Sequence, residues 1–279
     1  MKKSKNYVGI DISKLTFDVA ICNSESKYKY FKFTNNNEGF VLFLELLNDS
    51  ESICVMEASG PYYLKLATFL SEQGISVCVI NPLVIRRFSQ MRMSRAKTDK
   101  KDAMLIAEYG KTEKPSLWLP EADYVLELKQ MQAYLEQLNK SRTGLIRQNE
   151  AFKQNPNQSL QVANSIESIL EKIELEINVI EKNMELLIQT HHKEMFNHLQ
   201  SIPGLGKKTS LFLIVISGGF SKFENHKQLA SYIGISPRIF ESGTSVKGRS
   251  KICKMGMSKI RAMLYVCAWS AKRCNKNCK

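Results

Sequence analysis

Two apolar, strand-like runs in this sequence end on a carboxylate: YVGID closes on Asp11 and ICVME on Glu57. An acid left in a core costs several kcal/mol unless it is paired or bound to a cation. Further along, KTDKKDA sets Asp99 and Asp102 three residues apart, which on a helix puts both on one face. Drawn together, these carboxylates would form a hard-oxygen cluster. Such clusters hold two divalent cations about 3.5–4 Å apart and stabilise the attacking and leaving oxygens of a phosphodiester displacement. Oxygen ligands favour Mg2+ or Mn2+ over zinc. Taken singly, each acid also fits a cap, a turn or a surface charge. Their combination with the order of the strands carries the metal reading.

Two further segments have the chemistry of phosphate binding. In SIPGLGKKTS, Gly204 and Gly206 would let backbone N–H groups approach a DNA phosphate beside Lys207 and Lys208, as in a helix-hairpin-helix element. A plain Pro-Gly turn between two helices fits the same residues equally well. In SPRIFESGTSVKGRSKICKMG, the hydroxyls of Ser242, Ser245 and Ser250 stand among glycines and the cations Lys247, Arg249 and Lys251. A serine needs a base or metal to become a nucleophile, so these residues by themselves read as a phosphate-binding loop.

The elements that must position these groups follow from periodicity. YVGIDIS, TFDVAICN and YKYFKFT, within residues 6–34, predict three strands, the closely joined ones antiparallel. A helix over Glu38 to Leu47, a strand from Ile53 to Glu57, a helix from Tyr62 to Glu72 and a strand from Ile75 to Ile80 follow. Three strands and then alternating helices and strands is the order of a ribonuclease-H-like fold. From Asp123 the pattern becomes long helices, broken at QNPNQ, residues 154–158, where a reversal is expected. Ile166, Leu170, Ile173, Ile177, Ile180, Met184 and Leu187 then form a heptad seam. Either a coiled-coil hairpin that mates protomers or a helix packed on its own domain would produce it. The expected class is α/β plus α: an α/β domain over 1–115, a helical region over 120–192 and a mainly helical domain over 196–279.

The chain has 40 Lys+Arg against 27 Asp+Glu, a net charge of +13, which points to a polyanionic partner. The charge is localised. Residues 237–279 hold eleven Lys+Arg and one acid, Glu241, and residues 86–101 hold seven with Asp99 alone opposing them. These stretches exceed the whole net charge, so the remainder is slightly acidic. Arg86, Arg87, Arg95 and Lys97 in the first stretch and Lys247, Arg249, Lys251 and Arg261 in the second are candidate nucleic-acid contacts. No apolar run reaches the roughly 18 residues of a spanning helix, and the N-terminus turns polar too soon for a signal peptide; a cytoplasmic protein with no membrane partner is expected. The seven cysteines are an odd number, with Cys22, Cys54 and Cys78 in apolar runs, so free thiols are expected. Cys274 and Cys278 lack a partner pair with zinc-ligand spacing. His191, His192, His198 and His226 read as surface or capping residues.

At this point the chain resembles the DEDD transposases of the insertion-sequence 110 group and their relatives, the Piv-type DNA invertases. The matching stretches are YVGIDISK, VMEASGPYY, NPLVIRRF, RAKTDKKDA, IPGLGKKTS and YIGISPRIFESGTSVKGRSKICKMGMSKIRAMLYVCA, in the family's order and over most of the chain. The resemblance implies a RuvC-like domain in which Asp11, Glu57, Asp99 and Asp102 bind Mg2+ or Mn2+. A coiled-coil region would follow, then a transposase domain whose nucleophile is Ser242 of the ESG triplet. It also implies a covalent phosphoserine intermediate, a metal cluster and serine drawn from different protomers of a dimer or tetramer, and guidance by a structured RNA of the element. Two departures stand out: Met257 where the family often has Asn, and further helical sequence in relatives beyond a helix such as Ser258 to Lys272.

Two other readings fit many of the same residues. One is a RuvC-like structure-specific DNA nuclease, in which a metal-activated water replaces Ser242. The other is a truncated nucleic-acid-binding remnant that cannot complete strand exchange. A sugar-kinase or actin-like reading of GIDISK would need a second Asp-Gly-rich phosphate loop, and the sequence has none.

Overall fold

The computed structural model describes residues 6–22, 27–47, 52–93, 98–238, 241–242, 246–248 and 250–276. Two compact units, Met1–Pro120 and Glu121–Lys279, make up the chain.

The first unit is built on one five-stranded sheet. β1 (Asn6–Ile12), β2 (Thr16–Cys22) and β3 (Tyr28–Thr34) are followed by α1 (Asn37–Leu47), β4 (Ser52–Glu57), α2 (Leu64–Glu72), β5 (Ser76–Ile80), α3 (Pro82–Met91) and α4 (Asp99–Glu113). The strand order is β3-β2-β1-β4-β5; β1–β2 and β2–β3 are antiparallel, β1–β4 and β4–β5 parallel. Ser13 closes the β1–β2 turn, its hydroxyl donating to the Thr16 carbonyl at 2.8 Å. The expected helix at Tyr62 begins two residues later, because Gly60 to Tyr63 form a turn.

Alternation assigns the two faces of the sheet. Val8, Ile10, Phe17, Val19, Cys54, Met56 and Val77 point to one side, where α1 and α2 supply Phe40, Phe43, Leu66 and Leu70. Phe17 is the hub, 5.4 Å from Phe33 and 5.5 Å from Phe43 between ring centroids. Burial of each such ring stabilises the unit by about 1.5–3 kcal/mol. Ile53, Val55, Cys78 and Ile80 point the other way, onto Ile85 of α3 and Ile106 of α4. Here small residues set the distance: a Cβ added at Gly9 would lie 2.0 Å from the Ala103 carbonyl oxygen, and one at Gly110 would lie 2.5 Å from the Val55 side chain. α4 therefore lies nearly in backbone contact with β1.

The second unit opens with α5 (Asp123–Lys153) and α6 (Leu160–Gln200), which reverse at the expected break. Ser159 caps α6, its hydroxyl accepting from Val162 N at 3.4 Å. Ile166, Ile177 and Met184 of the heptad seam are buried, and Ile173, Ile180 and Leu187 pack with Leu128, Leu135 and Leu138 of α5. Of the two arrangements expected for this seam, the packing seen within the chain is the one on its own α5. On α5 the facing positions Leu128, Leu135, Arg142 and Asn149 recur every seven residues. The last two are polar, with Arg142 Nε and Asn149 Oδ1 buried and without a hydrogen-bond partner.

α7 (Lys207–Ser217) is buried along its length from Thr209, and its Leu211, Ile214 and Val215 join the core of the hairpin base. One core thus runs through both 120–192 and 196–279. His191 and His192 lie at a kink in α6 where two helical stretches meet, His191 exposed and His192 leaving helical geometry (φ −140°, ψ 32°). His191 stacks on Tyr124 at 3.9 Å, and His192 Nε2 lies 3.1 Å from the Tyr124 hydroxyl. α8 (His226–Ile233) is capped by Asn225, and α9 (Ser258–Cys274) follows. Between them the expected helical character gives way to two antiparallel ribbons. β6 (Pro237–Arg238) pairs with β9 (Lys251–Ile252), and β7 (Glu241–Ser242) pairs with β8 (Val246–Lys247). Among the described cysteines, Cys22, Cys54, Cys78, Cys253, Cys267 and Cys274 are free thiols.

Candidate active site

Asp11, Gly9 and Tyr7 alternate on β1, and Glu57, Val55 and Ile53 on β4, so both acids share the sheet face that α4 covers. Asp11 is the second-last residue of β1 and Glu57 the last of β4, with β1 and β4 adjacent and parallel. The parallel register therefore brings both carboxylates to the same end of the sheet. α4 starts at that end. Thr98 caps it, the hydroxyl accepting from Lys101 N at 3.3 Å, and Asp99 and Asp102 occupy its first turn, where the helix dipole favours negative charge. The close approach at Gly9 holds this turn over β1.

The electrostatics show the convergence. The Asp11 carboxyl is pushed up to about 6, first by burial and then by the charges of Asp102, Asp99, Glu57 and Asp18. Each of the other acids singled out from the sequence repels Asp11, and among the described residues no cation offsets them. Glu57 is steadied by Ser59, whose hydroxyl donates to Oε1 at 2.8 Å. As the side chains stand, no group of three or more His, Cys, Asp or Glu among the described residues is gathered tightly enough to grip a metal ion. Carboxylates with no cation between them repel one another, and the hard-oxygen donor set itself fits Mg2+ or Mn2+.

Asp18 was missed by the sequence reading. It lies opposite Asp11 across the β1–β2 pair and is buried. The Tyr30 hydroxyl donates to its Oδ1, and Lys32 Nζ lies 3.6 Å from Oδ2. That hydrogen bond is the main reason the Tyr30 phenol is pushed up to about 12. Lys100 of α4 stands over the Tyr30 ring at 5.6 Å, linking this network to the start of the helix. Its signal was present, since TFDVAIC places an acid in an apolar strand as YVGID does.

The expected nucleic-acid contacts are placed unevenly. Arg86 and Arg87 are exposed on α3, Arg87 donating to Gln90 at 2.9 Å. Lys251 is exposed on β9. Lys207 and Lys208 form ion pairs with Glu185 at 2.5 Å and Glu181 at 2.6 Å on α6. Gly206 is the open N-cap of α7, while Gly204 (φ +96°) lies against Ala271 of α9, where a Cβ would meet backbone at 2.7 Å. Gly204 thus has a packing role. Arg261 is half-buried and donates to the Ile233 carbonyl at 3.0 Å, tying α9 to α8. Arg95, Lys97 and Arg249 lie outside the described residues. Ser242 and Lys247 are described through their backbone, Ser242 pairing with Val246 in the β7–β8 ribbon. No helix among the described residues is long and apolar enough to cross a membrane.

Comparison with known proteins accords with this arrangement. The family model for the DEDD transposases of IS110, described as a transposase, matches residues 8–152, and that of the transposase IS116/IS110/IS902 family matches residues 196–279. The chain is 34% identical over 274 residues to the pilin gene-inverting protein of Moraxella lacunata, covering 94% of this chain and 82% of that protein. The Moraxella bovis protein of the same description is also 34% identical, over 276 residues, with the same coverage. Identity to the transposase for insertion sequence element IS1111A of Coxiella burnetii is 25% over 306 residues, covering 99% of this chain and 80% of that protein. With both halves matched in order and 94% of this chain aligned with a pilin gene-inverting protein, this chain belongs to the IS110 family of transposases and site-specific DNA recombinases.

Proposed function

We propose that this enzyme cuts and rejoins DNA through a phosphoserine intermediate on Ser242, with Asp11, Glu57, Asp99 and Asp102 holding Mg2+ or Mn2+ in a ribonuclease-H-like, RuvC-like domain over 1–115. The observation that carries the metal site is the crowding of Asp11. Acids from two parallel strand ends and a helix start act together on one carboxyl. The cations, when bound, would supply charge neutralisation to the oxygens that attack and leave. The strand order β3-β2-β1-β4-β5 supports the fold assignment.

In the step itself the Ser242 hydroxyl oxygen bonds to phosphorus and gives up its proton. One ester bond to a deoxyribose oxygen breaks, and that sugar leaves as a hydroxyl. Attack by a hydroxyl of another strand then releases the serine and completes exchange. Arg86, Arg87, Lys251 and the open N-terminus of α7 at Gly206 would bind phosphates. Sequence specificity would come from an element-encoded structured RNA, a division suited to a chain whose basic charge is concentrated in two stretches. Because α5 covers the inner seam, a homo-oligomer would use the outward stripe of Leu175, Val179 and Leu186 on α6, all exposed.

The test is a suicide substrate carrying the element's end DNA, incubated with the flanking RNA and Mg2+. A protease-sensitive protein–DNA adduct, lost in Ser242→Ala and in Asp11→Ala, is the expected result. Clean nicking without an adduct would replace the reading with a water-using nuclease.

A further inference from the structure

The proposed chemistry leaves the outer face of α9 without a task. The helix packs through fully buried Ile260 and partly buried Met263 and Leu264. Cys267 Sγ lies 3.4 Å from the Thr209 hydroxyl, and Ala271 lies against Gly204. At 3.6 residues per turn these residues share one side, and a surface helix ordinarily places polar groups opposite. Here that opposite side holds Tyr265, Val266 and Trp269, exposed to 75%, 62% and 58%.

Tyr265 and Trp269 are four residues apart, so their rings stand one above the other along the helix, about 6 Å apart in rise. Arg273, one turn further, has its guanidinium carbon 4.2 Å from the Trp269 ring centroid. Lys272 and Lys276 flank the stripe and are exposed. No acid occurs anywhere from Ser242 to Lys279. An apolar protein partner would cover the rings and leave these cations unanswered. A nucleic-acid strand supplies both π-faces and phosphates, and only an unpaired strand has bases free to leave their own stack.

We infer that α9 is a stacking platform for single-stranded nucleic acid. Tyr265 and Trp269 take unpaired bases, and Lys272, Arg273 and Lys276 take the adjoining phosphates. Arg273 covers one face of the indole, and the other receives a base. This role is independent of the metal cluster and of Ser242, so it is tested in EDTA, where failure of the catalytic proposal has no bearing.

The chain has two tryptophans, and Trp118 lies in the first unit against its core. A full-length Trp118→Phe protein therefore reports from Trp269 alone. Titration with a single-stranded dT 20-mer should quench that fluorescence, whereas a duplex of equal length should not. By anisotropy of a labelled dT 20-mer, Tyr265→Ala and Trp269→Ala should each weaken binding about 5- to 150-fold, the range for one stacked base. Duplex affinity should change far less in both variants. Unchanged single-strand affinity in both variants, or equal losses for single strand and duplex, would overturn the inference. So would a concentration-dependent dimer, seen without nucleic acid, that dissociates on Trp269→Ala while single-strand binding persists, because the face would then belong to a second copy.

Discussion

Replacing Asp11 with Asn should stabilise the metal-free protein while removing its activity. The carboxyl rises from its ordinary 3.8 to about 6 because burial and four neighbouring acids disfavour the charged form. Above pH 6 the folded chain must therefore carry a carboxylate that the unfolded chain carries more comfortably. Between pH 3.8 and about 6 the folded state binds the extra proton, so stability attributable to Asp11 is greatest at low pH and falls as pH rises through that window. The full difference is about 3 kcal/mol at 1.36 kcal/mol per pH unit. Asp11 is only half-buried, and solvent screening reduces this to about 1–2 kcal/mol. An uncharged Asn should recover that amount, about 3–8 °C in melting temperature for a unit of this size. The assay is thermal and urea unfolding of wild type and Asp11→Asn in EDTA from pH 4 to 8. The two curves should converge near pH 4 and separate, with the variant above, by pH 7. Mg2+ or Mn2+ should then stabilise wild type and leave the variant unmoved. An Asp11→Asn protein less stable than wild type at pH 7 in EDTA would refute the reasoning.

Across the β1–β2 pair the sign reverses. Asp18→Asn removes the charge that Tyr30 and Lys32 hold, and chemical denaturation should show a loss of about 1.5–3 kcal/mol. Gly9→Ala would force α4 away from β1, since the new Cβ would lie 2.0 Å from the Ala103 carbonyl. Denaturation should show a loss of about 1–3 kcal/mol, and DNA-cleavage assays a larger loss of activity because Asp99 and Asp102 move with the helix. The double variant Arg86→Ala, Arg87→Ala should weaken duplex DNA binding and lower the slope of log affinity against log salt by about 1–2, one condensed counterion per lost phosphate contact. An unchanged slope would mean that this arginine pair faces no phosphate.

The sheet was legible because its strands alternate and end on breaks, and the acids because a carboxylate stands out at the end of an apolar run. Asp18 obeys the same rule, but what it pairs with is hidden in sequence. Its partners Tyr30 and Lys32 come from a third strand, and only the register shows that they meet. The β7–β8 ribbon escaped because two-residue strands carry no measurable period. The heptad seam of α6 was read correctly as a seam, but not what fills it. α5 puts Arg142 and Asn149 where a third and fourth apolar residue would have advertised the match.

Those two polar positions give the hairpin a gradient. Near its root, Leu128 and Leu135 lie against Ile177, Met184 and Ile188 in a core shared with α7. Toward its tip, Arg142 Nε and Asn149 Oδ1 are buried without partners, Arg142 reaching only Glu174, through Nη1 at 3.2 Å, so polar groups replace apolar packing there. Such a hairpin does not open as one cooperative body. In hydrogen exchange the root amides share the slowest, global opening of the unit, while those from about Arg142 round to Ile166 exchange through a cheaper local event. The hairpin is then an arm anchored stiffly at its base and compliant at its end, able to reshape its tip without loosening the domain that carries Ser242.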